Sequence, residues 1–454
     1  MRDSVDNILK AQNLLAGLQW FFFIFANIVI IPITVGEAFE LNQGEVVSLL
    51  QMSFIVTGLA CLAQALFGHG RPILEGQSGL WWGIYLTLVV TSSAQGLSLT
   101  TLGGSLVIGV VISGIITILI GILGIGPLLA KLFTPGVMGV FMFLLGLTLI
   151  QIFLKGMLHI PFGNQAADSI MIDLPISALS LSIVLIVIII SIKSPANIRS
   201  YALLIGIILG WILFVILFPN EKSAIQSDTT KVNKLFPLGE PVWNTGIVFT
   251  VIIAGLLNTS NTFGALKGTD ALLNVKTTKR DYMSSFSITG IATIVAGIFG
   301  LVPYAPYVSS IGFLKQTNIY EKLPFIIGSL LFFLMGIITP IGEFFSLLPL
   351  SIGSAVLFVA YLQLFNSSMD FFKQINLNTL NVYRSALPLF VGVVIMTFPA
   401  SYFESLHSSI RPFLSNGLLV GIVIALILEK IINWDKFVGP LDQKKNEYNN
   451  YKQK

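Results

Sequence analysis

The stretch "GLVPYAPYVSSIGFLKQT", Gly300–Thr317, interrupts a sequence that otherwise consists of long apolar runs. It contains Pro303 and Pro306, and proline favours extended backbone in the residue before it. Two small hydroxyl residues, Ser309 and Ser310, follow at a depth where a spanning helix would carry apolar side chains. Non-helical backbone is tolerated inside a membrane only where it is buried in protein or lines a cavity. The stretch therefore indicates an internal site.

Composition indicates an integral membrane protein, and the lipid bilayer is therefore expected as a partner. The 454 residues are 55% hydrophobic and 10% charged, whereas soluble domains carry about a quarter charged residues. A single cysteine, Cys61, excludes an intrachain disulfide, and the three histidines have no metal-ligand spacing. We expect no metal and no cofactor. The net charge of +4 is explained by membrane topology, so nucleic-acid binding is not expected.

Fourteen apolar segments are candidates for membrane spans. They lie near residues 15–35, 47–67, 77–92, 103–123, 133–154, 176–192, 201–218, 245–265, 285–300, 302–314, 324–341, 346–365, 386–401 and 415–433. With the N-terminus inside, most lysines and arginines fall in inner loops and the tail, as the positive-inside rule requires. We therefore expect a multi-pass protein of the plasma membrane with both termini in the cytoplasm.

The fourteen segments divide into seven and seven, so the second set enters the membrane in the opposite sense. This predicts an inverted repeat, which is common in secondary transporters. The predicted parts are a first repeat at 1–218, an extracellular linker at 219–244, a second repeat at 245–440 and a cytoplasmic tail at 441–454. The third and tenth segments are counterparts, and both are short and broken. Such a pair points to a binding site, although two kinked helices would give the same pattern.

The third segment, "GRPILEGQSGLWWGIYLTL" (Gly70–Leu88), joins small polar residues to two tryptophans. Trp81 and Trp82 could stack on a planar ligand, but lipid-facing or interfacial packing is expected for at least one of them. Glu75 lies either within the membrane, where a carboxylate is functional by default, or at the inner interface. The same alternatives apply to Glu343 at the start of the twelfth segment.

The eighth segment carries five consecutive polar residues, Asn258–Thr262, among apolar neighbours. Asn258 and Thr262 are four residues apart and share one face of a helix. Buried amides and hydroxyls must be hydrogen-bonded. They could bond neighbouring helices or contact a ligand, and the sequence leaves both open.

Taken in order, these motifs resemble the nucleobase–ascorbate transporter family, which includes uracil and xanthine permeases. The ordered set, rather than any single motif, carries the resemblance across nearly the whole chain. Its members are "LQW" at 18–20 with "NIVIIP" at 27–32, "PILEGQSG" at 72–79, "LFTPGVMG" at 132–139, "NTSNTFGALKG" at 258–268, "GIFGLVPYAPYVSSIGFLKQT" at 297–317 and "LPLSIGS" at 348–354.

The resemblance implies an all-α membrane fold with a core domain (segments 1–4 and 8–11) and a gate domain (segments 5–7 and 12–14). Substrate would lie between short strands in segments three and ten, and transport would proceed by alternating access, often in a homodimer. The substrate-binding residues that it implies are Asn27, Gly79, Leu80, Asn258, Thr262, Tyr307, Val308, Ser309 and Ser310.

The sequence departs from the family at residues that matter for chemistry. The family usually has glutamate at the position of Asn258, glutamate or glutamine at Ser309, histidine at Trp20 and an aromatic residue at Gly79. Asparagine offers one acceptor and two donors but cannot accept a proton. We therefore expect weaker proton coupling than in relatives, with H+ or Na+ as candidate co-transported ions and Glu75 as the nearest substitute acid.

The sequence thus predicts a secondary transporter for nucleobases. Purines such as xanthine, hypoxanthine or urate are expected ahead of uracil, because Gly79 and Ser309 are small and leave room for a second ring. The alternative is an anion carrier for sulfate or bicarbonate, which shares the seven-plus-seven plan and can use helix N-termini at its site. An enzyme is not expected, because the segments hold no cluster of acids, histidines or nucleophiles.

Overall fold

The computed structural model describes residues 11–94, 96–160, 172–199, 201–219, 235–375, 378 and 381–434. Most of the predicted linker at 219–244 and the whole predicted tail at 441–454 lie outside the described residues. The described chain is mostly helical. Its α-helices are α1 Ala11–Ile28, α2 Ile30–Ala38, α3 Gln43–Leu66, α4 Gly79–Ala94, α5 Leu99–Leu123, α6 Gly126–Leu129, α7 Pro135–Met157, α8 Leu174–Lys193, α9 Ala196–Arg199, α10 Ala202–Leu217, α11 Thr245–Leu273, α12 Lys279–Ile298, α13 Ser309–Thr317, α14 Lys322–Ile337, α15 Thr339–Ser346, α16 Leu350–Tyr361, α17 Gln363–Phe372, α18 Tyr383–Thr397, α19 Arg411–Leu414 and α20 Gly417–Ile431.

Two strands of three residues each interrupt this helical chain. They are β1 Glu75–Gln77, which precedes α4, and β2 Tyr304–Pro306, which precedes α13. They pair antiparallel, with Gly76 opposite Ala305. The prediction of short strands in the third and tenth segments is therefore confirmed.

The protein is a multi-pass membrane protein. Seven helices or continuous helix pairs among the described residues are long and apolar enough to cross a membrane. The pair α13 and α14 makes an eighth candidate, bent by 119° at its break, and shorter apolar helices include α4, α10 and α18. Each of the fourteen predicted segments overlaps at least one described helix. That all fourteen cross the membrane in two inverted sets stays a prediction.

Proline accounts for the shifted ends of two of the predicted segments. The segment at 346–365 starts too early, because Pro349 forms the N-cap of α16 and the helix begins only at Leu350. The segment at 386–401 runs too far, because α18 ends before Pro399, which cannot continue its hydrogen-bond ladder.

The helices pack in two groups. In one group, α12 lies against α5, α14 against both α1 and α3, and α11 against α5. In the other, α18 lies against α20, α16 and α17 against α7, and α8 against both α10 and α16. The first group contains helices of the predicted core domain and the second those of the predicted gate domain. Movement of the two groups as separate bodies stays a prediction.

A buried arginine fixes the loop that leads into β1. Arg71 is 5% exposed, and its guanidinium donates to the Leu266 carbonyl at 2.5 Å and to the Thr269 hydroxyl at 2.8 Å. The same group forms an ion pair with Asp270 at 2.8 Å. Because these three partners belong to the end of α11, the arginine ties the approach to β1 to that helix. A buried charge held in this way is expensive to unpair.

Glycine allows a close contact between the backbones of α5 and α12. A Cβ atom at Gly290 would lie 2.7 Å from the carbonyl oxygen of Gly114. A Cβ atom at Gly114 would in turn lie 2.8 Å from the carbonyl oxygen of Gly290. Small residues of this kind let helix backbones approach each other within a membrane.

Gly290→Leu should therefore destabilise the protein by about 1–3 kcal/mol, the usual cost of overpacking a close-packed contact. Gly312→Ala is the matched control, because no atom lies within 4 Å of the Cβ position at that helical glycine. The measurement is thermal unfolding of both variants in detergent. Equal unfolding temperatures for the two variants would contradict the tight packing of α5 on α12.

Candidate substrate-binding site

The paired strands form the base of the candidate site. Their pairing continues at both ends, because the Ser78 N–H donates to the Pro303 carbonyl at 2.8 Å and the Tyr307 N–H donates to the Leu74 carbonyl at 2.7 Å. The side chain of Ser310 supports the pair, since its hydroxyl accepts from the Leu74 N–H at 3.0 Å. Backbone that leaves the helical ladder is thus paired within the protein, as a membrane interior requires.

Each strand leads directly into a helix, so two helix N-termini flank the strand pair. The first amide hydrogen bond of α4 runs from the Trp82 N–H to the Ser78 carbonyl, and that of α13 from the Ser310 N–H to the Tyr307 carbonyl. The N–H groups of Gly79, Leu80, Val308 and Ser309 precede or open these ladders and make no hydrogen bond to the backbone of another described residue. Such N–H groups carry partial positive charge and suit an acceptor oxygen of a ligand.

Asn258 joins α11 to both strands. Its amide nitrogen donates to the Tyr304 carbonyl at 2.9 Å, and its amide oxygen accepts from the Ser78 hydroxyl at 2.7 Å. The same oxygen accepts from the Asn261 amide at 3.0 Å. In this conformation Asn258 therefore acts as a bond between helix and strands, which was one of the two alternatives left open by the sequence. It lies at the strand pair and is 6% exposed.

A tyrosine from the second helix group approaches the strands at this point. The hydroxyl of Tyr307 donates to the Gln77 carbonyl, which completes the link between the two strand ends. Tyr361, the last residue of α16, lies beside the Tyr307 hydroxyl. A Cβ atom at Gly79 would lie 3.6 Å from the Tyr361 ring and 3.1 Å from Leu149. Gly79 therefore lies between the strand end and residues of the other helix group.

One side of the site is open at the surface of the protein. Ser309 and Gly312 share one face of α13, and both are exposed. Val308 and Gly264 next to them are half-buried, and a Cβ atom at Gly264 would lie 3.2 Å from Val308 and 3.6 Å from the end of Met138. Because Met138 belongs to α7, this opening lies where the two helix groups meet.

The remaining predicted residues are buried in the surrounding packing. Leu80 is fully buried and Thr262 is 1% exposed. Asn27 is 7% exposed, and its amide donates to the Phe23 carbonyl of its own helix at 2.8 Å. Its neighbour Ile28 lies under β1, where its end would be 2.7 Å from a Cβ atom at Gly76.

The two tryptophans of α4 are buried in protein, so the expectation that at least one faces lipid is wrong. Trp81 and Trp82 are both 0% exposed. The Trp82 indole donates to the Thr34 hydroxyl at 2.8 Å, which ties α4 to α2. The helix that follows β1 is therefore enclosed by other helices on both of these faces.

Glu75 lies within the protein interior. It is 0% exposed, and its carboxyl oxygens accept from the Thr289 hydroxyl at 2.7 Å and from the Gln64 amide at 3.0 Å. Gln64 belongs to α3 and Thr289 to α12. Sequence reasoning missed both partners, as it missed Tyr361, because no local pattern relates residues of separate segments.

Solved structures with a similar fold include anion transporters. The transmembrane domain of a cyanobacterium bicarbonate transporter, BicA, aligns with a TM-score of 0.58 at 14% identity over 92% of this chain and 98% of that chain. Murine Slc26a9, an anion transporter in the inward-facing state, aligns with a TM-score of 0.57 at 12% identity over 92% of this chain and 68% of that chain. At such low identity the likeness concerns the fold alone.

Sequence relatives cover nearly the whole chain. A putative purine permease of Bacillus subtilis, YwdJ, is 29% identical over 92% of this chain and 96% of the relative. The xanthine permease of the same organism is 25% identical over 93% and 94%, and the Escherichia coli uric acid transporter UacT is 21% identical over 95% and 88%. Residues 11–401 match the profile Xan_ur_permease, described as "Permease family". The chain therefore belongs to this permease family, which is the nucleobase–ascorbate transporter family that its motifs resemble.

Proposed function

We propose that the protein is a permease for purine nucleobases that works by alternating access. The proposal rests on one observation. The Asn258 amide and the N-termini of two helices lie together at the pair of strands. Purine bases present carbonyl oxygens and ring N–H groups side by side. Free backbone N–H groups can donate to the former, and an amide or backbone oxygen can accept from the latter.

Asn258 is the residue that we propose holds the edge of the base. Its oxygen already accepts from Ser78 and Asn261, so a base N–H would replace one of these neutral donors. The exchange leaves no buried polar group without a partner, because a hydroxyl and an amide can turn to a carbonyl oxygen of the same base. The names of the relatives, which are purine, xanthine and uric acid permeases, support a purine ahead of uracil.

The two helix groups supply the proposed moving parts. Tyr361 and Met138 come from the group predicted to be the gate, whereas the strands and Asn258 belong to the predicted core. Relative movement of the groups would cover the opening beside Ser309 and uncover another on the opposite side. Fourteen spans in two inverted sets, assembled as a homodimer, remain part of this proposal.

An anion carrier of the same fold remains the second candidate. The two helix N-termini favour it, because each presents partial positive charge to the site. Relatives along the full chain favour the nucleobase instead. Competition between unlabelled sulfate or bicarbonate and a bound labelled purine would separate the two candidates.

Uptake of radiolabelled xanthine, hypoxanthine, guanine, urate and uracil into cells that express the protein tests the main proposal. We expect saturable uptake of at least one purine. Asn258→Ala should reduce it about five- to thirtyfold, because losing hydrogen bonds to a buried ligand costs about 1–2 kcal/mol. Asn244→Ala is the matched control, because Asn244 caps the other end of the same helix.

The control should keep uptake while losing about 1 kcal/mol of stability from its cap. The amount of folded protein in the membrane is measured for both variants. Uptake of none of the five bases, or full uptake by a folded Asn258→Ala variant, would refute the substrate assignment.

The proposed topology has its own test in the plasma membrane of intact cells. In a Cys61→Ser background, Ser408→Cys should react with a membrane-impermeant maleimide added outside. Asn449→Cys should react only after permeabilisation, because the tail is proposed to be cytoplasmic. Labelling of Asn449→Cys in intact cells would contradict the arrangement of fourteen spans.

A further inference from the structure

Glu75 is a buried acid without a charged partner. Its carboxyl oxygens accept from two neutral donors, Thr289 and Gln64, and none of the ion pairs among the described residues includes it. Its backbone is held as well, because the Glu75 N–H donates to the Cys61 sulfur at 3.3 Å and the Cys61 thiol faces the Glu75 carbonyl at 3.4 Å. The group is therefore fixed in position and sealed from water.

These surroundings favour the protonated form of the Glu75 carboxyl group. An ionised carboxylate buried without a cation costs several kcal/mol, even after relaxation. When Glu75 is protonated, the Oε1–H can donate to the Thr289 hydroxyl, while Oε2 still accepts from the Gln64 amide. When it is ionised, the same hydroxyl and amide can both donate to it. The two neighbours thus fit either protonation state, and access of water decides between them.

The acid and the substrate-binding groups lie on opposite faces of one strand. Successive side chains of a strand alternate, so Glu75 and Gln77 point one way and Ser78 the other. Gln77 bonds to the Ser53 hydroxyl of α3 at 2.5 Å, on the same side as Gln64. Ser78 bonds to Asn258. A shift of β1 that follows substrate binding would therefore change the packing around Glu75.

We propose that Glu75 carries the proton that is transported with the substrate. The inference rests on the proposed function and names the coupling group of the same site. In the conformation described here the acid is sealed and protonated. In the other conformation water reaches it, the O–H bond breaks, the proton passes to that water, and Gln64 and Thr289 donate to the carboxylate. One proton then moves in each transport cycle.

No other titratable group near Glu75 serves equally well. The groups that face it are the Cys61 thiol on α3 and the Tyr304 hydroxyl on β2, and thiols and phenols are neutral near pH 7. Neither α12 nor α14 presents a charged side chain to it among the interactions described. Arg71, four residues earlier in the chain, is engaged by Asp270.

A sodium ion is the competing cargo. Oxygen atoms surround the Gln64 amide nitrogen, including the Ser285 carbonyl at 3.1 Å and the Thr289 hydroxyl at 3.2 Å. A sodium ion could occupy this place only by displacing the amide that bonds Glu75. The proton is favoured because it requires no displacement.

Two measurements on the purified full chain test the proposal. The first is the infrared spectrum at pH 7 without substrate, which should show the carbonyl stretch of a buried carboxylic acid. The second uses proteoliposomes with a trapped pH-sensitive dye, in which an inward gradient of xanthine, hypoxanthine or urate should acidify the lumen. Counterflow exchange of the same purine reports transport that requires no net proton movement.

Glu75→Gln should remove both the infrared band and the acidification, while purine exchange continues at a measurable rate. Glutamine keeps the donor and acceptor of the protonated acid, so the variant should fold. Glu343→Gln, at a half-buried acid of α15, is the control and should keep all three signals.

Absence of the band, or acidification by Glu75→Gln at the wild-type rate, overturns the proposal. Transport that requires sodium and moves no proton overturns it in favour of the ion. If wild-type protein exchanges none of the purines, the proposed function fails and the coupling fails with it. The infrared band can be measured without substrate. It therefore shows whether Glu75 is protonated even if the protein transports no purine.

Discussion

The pairing of β1 with β2 is the constraint on which the rest of the structure depends. Two helices of the membrane-embedded chain begin in its interior, so the backbone before each must find hydrogen-bond partners away from water. The strands provide them for each other, and Ser310 and Asn258 complete the set by accepting from Leu74 and donating to Tyr304. A ligand at this place can accept hydrogen bonds from the N–H groups that the strand pairing leaves free.

The pairing also explains why small residues and prolines surround the strands. Pro303 and Pro306 hold β2 extended, and neither has a backbone N–H that needs a hydrogen-bond acceptor. Gly76 is required because Ile28 lies where a side chain would be. Gly79 permits Tyr361 and Leu149 of the other helix group to approach the strand end. At each of these positions the backbone contacts a neighbouring residue, and a larger side chain would prevent that contact.

The sequence predicts the elements well because their causes are local. Long apolar runs mark all fourteen helical segments, and Pro303 with Pro306 marks the second strand. The polar run at Asn258 marks the helix that bonds the strands. What it does not predict depends on neighbours distant in sequence. Burial of both tryptophans of α4, the approach of Tyr361, and the pairing of Glu75 with Gln64 and Thr289 all arise from helices that only the fold brings together.

The departure from the family pattern at Asn258 acquires a physical meaning beside the proposed role of Glu75. An acid in direct contact with the base would exchange donor for acceptor whenever its charge changed, so its protonation and the binding of the base would share the same atoms. Asn258 keeps one hydrogen-bonding pattern at every pH. In the proposed mechanism, Glu75 lies on the other face of the same strand, where its protonation would change the packing and leave the contacts of the base unchanged. Under this proposal, the strand that both faces share would link recognition to proton transfer, and the cost of burying a carboxylate would supply the energy that links them.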